Sequence, residues 1–399
     1  MNSLHIRPQE PIHQDGTIRH SAIIEIPGEK RQTLWYRIPE IYQEFLCTTS
    51  DHFAVGAIFL MMEKGLDVHI HGQVSPSLLR NLFEFQSAWS ALNPKYNKVA
   101  IYADREQEDS GHKSTNRAIM TFSGGVDSCF TALRHTRAKG ERFPRNLTSA
   151  VMVQGFDIPL DDPQGFAQAT ERSRRMLSTL GLELFTVSTN YREIIGDWPH
   201  SHGAAIASCL YLFSRGFSEG LIGQTFTYGE LRAITEGVNA LTDPLLSSDN
   251  FKIIPDGAAF TRADKILAIS GCPELLENLR VCWEGPQKDR NCCNCEKCMR
   301  NILTFRALGL GLPACFEYDI SLEQIKTLRL GDRVRRHIRY EELLPIAAAL
   351  GTTGEWSRVL SKRLADMKRA EDSLLLKAYR KIRRQAGRLV VPLRQKSQI

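Results

Sequence analysis

Between Asn116 and Thr225 short apolar runs alternate with amphipathic segments. AIMTF (118–122), TSAVMVQGF (148–156), LELFTVST (182–189) and EGLIGQT (219–225) have the length and composition of strands. The intervals near 126–139, 164–180 and 204–214 have helical spacing. Strands separated by helices pair in parallel, because the crossover helix returns the chain to the same end of the sheet. The expected fold is therefore α/β, a doubly wound parallel sheet. Such sheets bind ligands beyond the carboxyl ends of their strands. The turn SGGVDS, 123–128, lies at one of those ends.

Residues 1–115 read as a small N-terminal α+β domain plus linker, 116–310 as the sheet domain, and 311–399 as a helical C-terminal region with a basic tail. In the first part, AIIEIP and TLWYRIP flank GEKRQ as a hairpin. FAVGAIFLMM (53–62) is a buried helix or a buried strand, which periodicity alone does not decide. LDVHIHG and KVAIYA read as strands and SPSLLRNLFEFQSAWSAL as a helix, and polar residues 104–116 form the linker. Beyond Gly311, Ser321 with Gln324 makes a capping box, and 355–388 spans one or two long helices.

With 42% hydrophobic and 24% charged residues the composition is that of an ordinary globular protein. The first residues lack the apolar core of a signal peptide. The longest apolar run, Phe53 to Met62, is about half of a membrane span. A cytoplasmic protein with no membrane span is expected. The net charge of +6 is uneven, since residues from Arg358 onward carry a large basic excess. The body of the chain is thus no basic nucleic-acid binder. The tail or the N-terminal domain could contact nucleic acid or another macromolecular acceptor, and a homo-oligomer is left open.

The turn has chemical content. Phosphate oxygens at a strand-to-helix turn need backbone N–H groups aimed at them. Gly124 and Gly125 clear the approach, and the hydroxyls of Ser123 and Ser128 add donors. Asp127 repels phosphate unless it caps the helix or shares a Mg²⁺ ion with it. No Lys follows the last glycine, so the loop is not of the Walker type.

Five of the ten cysteines fall between Cys282 and Cys298. Cys282, Cys292, Cys295 and Cys298 can close a tetrahedral Zn²⁺ site, leaving Cys293 as a spare. The choice of Cys292 over Cys293 rests on regular spacing. An iron–sulfur cluster is the rival reading.

SGGVDS resembles the phosphate-binding loop of the PP-loop ATP pyrophosphatases. With CCNCEKCMR, which ends on Arg300, and TRADKI (261–266), residues 116–310 most resemble the 7-cyano-7-deazaguanine synthases of queuosine biosynthesis. Neither flanking region belongs to that family, and GQTFTYGELRAITEG departs from its usual segment. The resemblance implies a carbon–nitrogen ligase that cleaves ATP to AMP and diphosphate. Ser123, Gly124, Gly125, Val126, Asp127 and Ser128 would bind the diphosphate portion. Asp127, Ser128 and Arg262 would carry catalysis, with ATP and Mg²⁺ required and Zn²⁺ structural. The substrate would be a small carboxylate, with nitrogen from ammonia or an ammonia-supplying partner. The alternatives are a nucleotide or tRNA sulfur transferase, with a persulfide on a cysteine such as Cys129 or Cys209, and a non-catalytic ATP-binding interaction protein.

Other residues enter by position. Asp157 follows the second sheet strand, where adenine or ribose contacts are expected. DWPHSHG, ahead of a helix, is placed to overhang the ATP site, where His200 and His202 would touch phosphate or substrate. Gln224 and Thr225 end the GLIGQT strand. His69 and His71 share one face of a strand, and such a pair either binds a metal or is simply half-exposed.

Overall fold

The computed structural model describes residues 3–109, 115–137 and 142–390, with Arg333 and 374–390 described in backbone only. The chain forms two compact units: Met1–Phe305 with Leu310–Tyr318, and Arg306–Gly309 with Asp319–Ile399.

The first unit is built on one eleven-stranded sheet. Its strands are β1 (Leu4–Pro8), β2 (Ile12–Gln14), β3 (Thr17–Glu25), β4 (Gln32–Pro39), β5 (Val68–Val74), β6 (Ile101–Glu106), β7 (Ala118–Thr121), β8 (Leu147–Gln154), β9 (Glu183–Thr189), β10 (Glu219–Gly223) and β11 (Lys252–Asp256). They lie in the order β11-β10-β7-β8-β9-β4-β3-β1-β5-β6, with β2 paired to β3. Strands β7 to β11 are all parallel. Read from β9 to β11, their order is third, second, first, fourth, fifth. The chain therefore changes direction across the sheet between β7 and β10, which makes their carboxyl ends the expected ligand crevice.

The sheet is mixed, not wholly parallel as expected. The hairpin β3–β4 is antiparallel, and β4 pairs antiparallel with β9 through Tyr36↔Thr189 and Arg37↔Ser188. The first hundred residues thus extend the same sheet. This covers the open edge of β9, whose unpaired backbone groups would otherwise need water. Side chains lengthen the seam: Asn190 Oδ1 accepts from Trp35 N at 2.9 Å, and its Nδ2 donates to Thr33 O at 2.8 Å.

Helices α1 (Asp51–Lys64), α2 (Pro76–Leu92), α3 (Val126–Thr136), α4 (Pro163–Ser178), α5 (Tyr191–Ile194), α6 (Trp198–Tyr211), α7 (Arg262–Ser270), α8 (Pro273–Asn278) and α9 (Glu296–Ala307) belong to the α/β arrangement. The ambiguous run 53–62 is α1, buried throughout from Asp51 to Met62. A helix apolar on every side has no surface face to reveal its period. It packs on α6, where Gly56 lets Ser208 and the Tyr36 hydroxyl come close; a Cβ there would sit 2.6 Å from Tyr36 Oη. No described helix is long and apolar enough to cross a membrane.

The second unit contains helices at Leu322–Lys326, Arg333–Arg336, Leu343–Ala349 and Glu355–Val390, so the span near 355–388 is one helix. The Ser321–Gln324 capping box is present. The buried Arg336 meets Glu371 through two bonds of 2.6 and 2.8 Å. Part of the linker (110–114), the end of the expected helix near 139 and the last tail residues (391–399) lie outside the described residues.

Candidate functional site

The SGGVDS turn leaves β7 and enters α3 at the crevice. Gly124 has φ +75°, the left-handed region that glycine reaches without penalty. Ser123 Oγ accepts from Gly125 N at 3.3 Å, and Ser128 Oγ donates to Gly125 O at 3.0 Å. The two serine oxygens are 3.5 Å apart. Two hydroxyls thus sit together at the N-terminus of α3.

Asp127 does not cap α3. Its carboxylate turns to α7, with Oδ2 3.0 Å from Arg262 Nη2 and Oδ1 3.1 Å from Lys265 Nζ. Thr225 Oγ1, just past β10, donates to Oδ2 at 3.3 Å. Burial works to raise this carboxyl, but Arg262 and Lys265 outweigh it and hold it below the ordinary carboxylate range. Lys265 also donates to Gln224 O, so one ammonium ties α3, α7 and the end of β10 together. A Thr261–Asp264 capping box fixes the start of α7 and so aims Arg262 and Lys265.

The four cysteines named from spacing come together, with sulfurs all within 4.8 Å of one another. They are positioned to hold a metal ion such as zinc. Cys292 N donates to Cys282 Sγ at 3.3 Å, Cys295 N to Cys292 Sγ at 3.3 Å, and Cys298 N to Cys295 Sγ at 3.4 Å. Such bonds orient and stabilise thiolates. Cys293 is outside the group; its φ of +56° makes the turn between two ligands, and its thiol lies 3.7 Å from Asn291 O.

The cluster is wired to the turn. Arg280, two residues before Cys282, donates from its backbone N to Gly124 O at 2.8 Å and from Nε to Ser123 O at 3.3 Å. Its guanidinium lies 3.8 Å from Asp157. Asn291 holds this segment, accepting from Val281 N at 2.8 Å and donating to Leu279 O at 2.8 Å. On the other side, α9 starts inside the cysteine cluster and carries Lys297 and Arg300. Burial pushes the Lys297 ammonium down to about 8; Asp157 opposes this, and Arg300 and Arg262 add to it. Arg300 is 7% exposed, and its Nε has no hydrogen-bond partner among the described residues; Glu296 approaches only to 4.0 Å. Arg262, Lys265, Arg280, Lys297 and Arg300 thus form a group of cations beside the turn, with Asp127, Asp157, Glu230 and Glu296 as the carboxylates acting on them.

The other expected residues divide. Asp157 reaches the site; Gly155 before it, at φ +95°, lets the loop press on Thr189, whose oxygen would be 1.9 Å from a Cβ. DWPHSHG forms the first turns of α6 and not a preceding loop, because Pro199 suits the start of a helix. His200 is occupied by Tyr96 Oη at 3.0 Å and Asp197 Oδ2 at 3.1 Å. His202 accepts from Val238 N at Nε2 and donates from Nδ1 to Trp198 O, a neutral tautomer consistent with its burial. Gln224 Nε2 donates to the buried Asp243 at 2.9 Å, while its Oε1 is unpartnered among the described residues. His69 and His71 lie on β5, away from β7 to β11 in the strand order.

Lys265, Arg280 and Lys297 are the site residues that sequence reading missed. The i, i+3 spacing of Arg262 and Lys265 in TRADKI was a usable signal. Arg280 carries none, because its role comes from a contact across more than 150 positions.

The fold and site together define an open α/β sheet with a cation-rich turn at its switch point and, beside it, four cysteines positioned to hold a metal ion. No family model matches the chain, and no curated protein or solved structure matches it either.

Proposed function

We propose that the chain is an ATP-dependent ligase of the PP-loop kind, similar to the 7-cyano-7-deazaguanine synthases, that adenylylates a carboxylate and lets ammonia displace AMP. One observation carries the reading: three cations meet the glycine turn, Arg262 and Lys265 at Asp127 and Arg280 at Ser123 and Gly124, and the adjoining helix adds Lys297 and Arg300, the latter with an unpartnered buried donor. Uncompensated buried charge is costly, so such a site favours a polyanion.

On this reading the turn 123–128 holds the β and γ phosphates through backbone N–H groups and the Ser123 and Ser128 hydroxyls. Arg262 stabilises the charge that develops as diphosphate leaves. Asp127 acts by holding Arg262 and Lys265 in place, since both its oxygens already have cationic partners. It is thus poorly suited to Mg²⁺, which would enter on the nucleotide and supply charge neutralisation along the phosphates. A substrate carboxylate oxygen attacks the α-phosphorus, and the bond to the bridging oxygen breaks with loss of diphosphate. Ammonia then attacks the acyl carbon, AMP departs, and a proton leaves to give an amide. The four-cysteine site is read as structural zinc that aims Arg280, Lys297 and Arg300.

Sulfur transfer loses support at the two cysteines considered for a persulfide. Cys129 and Cys209 are fully buried, and burial pushes both thiols far above their ordinary value.

The test is product analysis with ATP, Mg²⁺ and ammonium over purine-like carboxylates, other carboxylic acids and tRNA. AMP and diphosphate should form in equal amounts, only with the right carboxylate, and Ser123→Ala should lower the rate about 10-fold or more. ADP as product, or sulfur incorporation into tRNA, would overturn the proposal.

A further inference from the structure

A second cluster of ligand-type side chains lies on the other half of the sheet. His5 on β1, His69 and His71 on β5 and Asp104 on β6 occupy neighbouring strands. Strand alternation puts all four on the face opposite the buried Leu4, Ile6, Val68 and Ile70. His5 and His69 are directly paired across β1 and β5. The His69 and His71 rings stack at 4.5 Å with only 10° between their planes.

The donor atoms meet at one carboxylate oxygen. Asp104 Oδ1 is 2.7 Å from His69 Nε2 and 3.6 Å from His71 Nδ1. One ligand atom from each of these three residues lies within 4.8 Å of the others. Ligands about 2.0–2.2 Å from a tetrahedral ion stand roughly 3.3–3.5 Å apart, so small side-chain shifts would admit one. His5 adds an independent observation. Its Nδ1 is 3.0 Å from His71 Nε2, the ring nitrogen turned away from Asp104. If His71 Nε2 donates that bond, its Nδ1 carries the lone pair a metal needs, and an orienting partner on the second nitrogen is typical of ligating imidazoles.

We propose that His69, His71 and Asp104 form a second metal site, for a divalent transition ion of the zinc class, with His5 as the positioning residue for His71. Imidazole nitrogen with one carboxylate is a donor set suited to zinc, copper or nickel and unsuited to magnesium or calcium. Two protein strands are bridged directly, and the orienting bond reaches a third. Since β6 ends the strand order, the ion would clasp an edge strand whose residues are mostly exposed. His69, His71 and Asp104 have side chains 39%, 25% and 49% exposed, so a fourth position is open to water or to an outside ligand.

The experiment uses the full chain with its four-cysteine site already loaded with one equivalent of zinc. Titration with Zn²⁺, followed by calorimetry and metal analysis, should show a second equivalent. His69→Ala or His71→Ala should abolish it while circular dichroism stays unchanged, and His5→Ala should weaken it about 10–100-fold. Co²⁺ as second ion should give d–d bands without thiolate charge transfer. Uptake of one ion only would overturn the proposal, as would a second ion held equally well by His69→Ala. A thiolate band from the second ion would also overturn it, pointing to the buried His20–Cys47–His52 group.

Discussion

Replacing Asp127 by Asn removes one charge and almost no volume. In the native site the carboxylate is 19% exposed and faces Arg262 and Lys265 at 3.0 and 3.1 Å, with the Lys265 side chain 1% exposed. Removing one partner of a buried ion pair costs about 3–5 kcal/mol, because it strands the other charge. Arg262 is partly exposed, and the Asn oxygen still accepts one bond, so a loss of about 2–3 kcal/mol is expected after that discount. In a scanning calorimeter, for a unit of about 310 residues, this is a drop on the order of 3–5 °C. The pH dependence has a definite sign. The native Asp127 carboxyl sits below its ordinary value of 3.8, so its contribution is full above that value and is lost as pH falls through the native one. The variant lacks the contribution at neutral pH, and the two proteins converge in acid. Added diphosphate supplies negative charge to the same cations, so it should protect the variant more than the wild type. A variant as stable as wild type at pH 7, or equal protection of both by diphosphate, would refute the claim that Asp127 balances an anion-binding group of cations.

Four more substitutions probe the surroundings. Cys292→Ser should lose the cysteine-bound metal and, with Arg280, Lys297 and Arg300 released, weaken diphosphate binding, whereas Cys293→Gly should retain one ion per chain by metal analysis. Burial raises the Asp243 carboxyl from 3.8 to about 7. The folded chain then holds a proton the unfolded one has released, and stability falls by about 1.4 kcal/mol per unit as pH rises between those values. Asp243→Asn should flatten that slope in urea titrations. Gly155→Ala combines a disfavoured φ with a Cβ 1.9 Å from Thr189 O, so it should cost on the order of 3 kcal/mol or more and displace the Asp157 loop.

Local chemistry decided how much could be read from the chain alone. The parallel strands β7 to β10 announce themselves because strands buried on both faces are continuous apolar runs. The cysteines are legible because four ligands to one ion constrain spacing. β11 is hidden by Pro255, which an edge strand tolerates because, among the described residues, β11 pairs with β10 alone. The joining of β4 to β9 is hidden too, since two backbone pairs and the side chain of Asn190 leave no periodic signature. At the site, Ser123, Gly124, Gly125 and Arg262 follow from local motifs. The ion pairing of Asp127 does not: a carboxylate in the first turn of a helix reads as a cap, and only the fold brings α7 against it.

The most direct measurement is a crystal structure of the chain with a non-hydrolysable ATP analogue. The β and γ phosphates should lie within about 3 Å of the backbone N–H groups of 124–126, with Arg262 and Arg300 on their oxygens. A nucleotide bound elsewhere, or a turn blocked by its own side chains at millimolar analogue, would contradict the account.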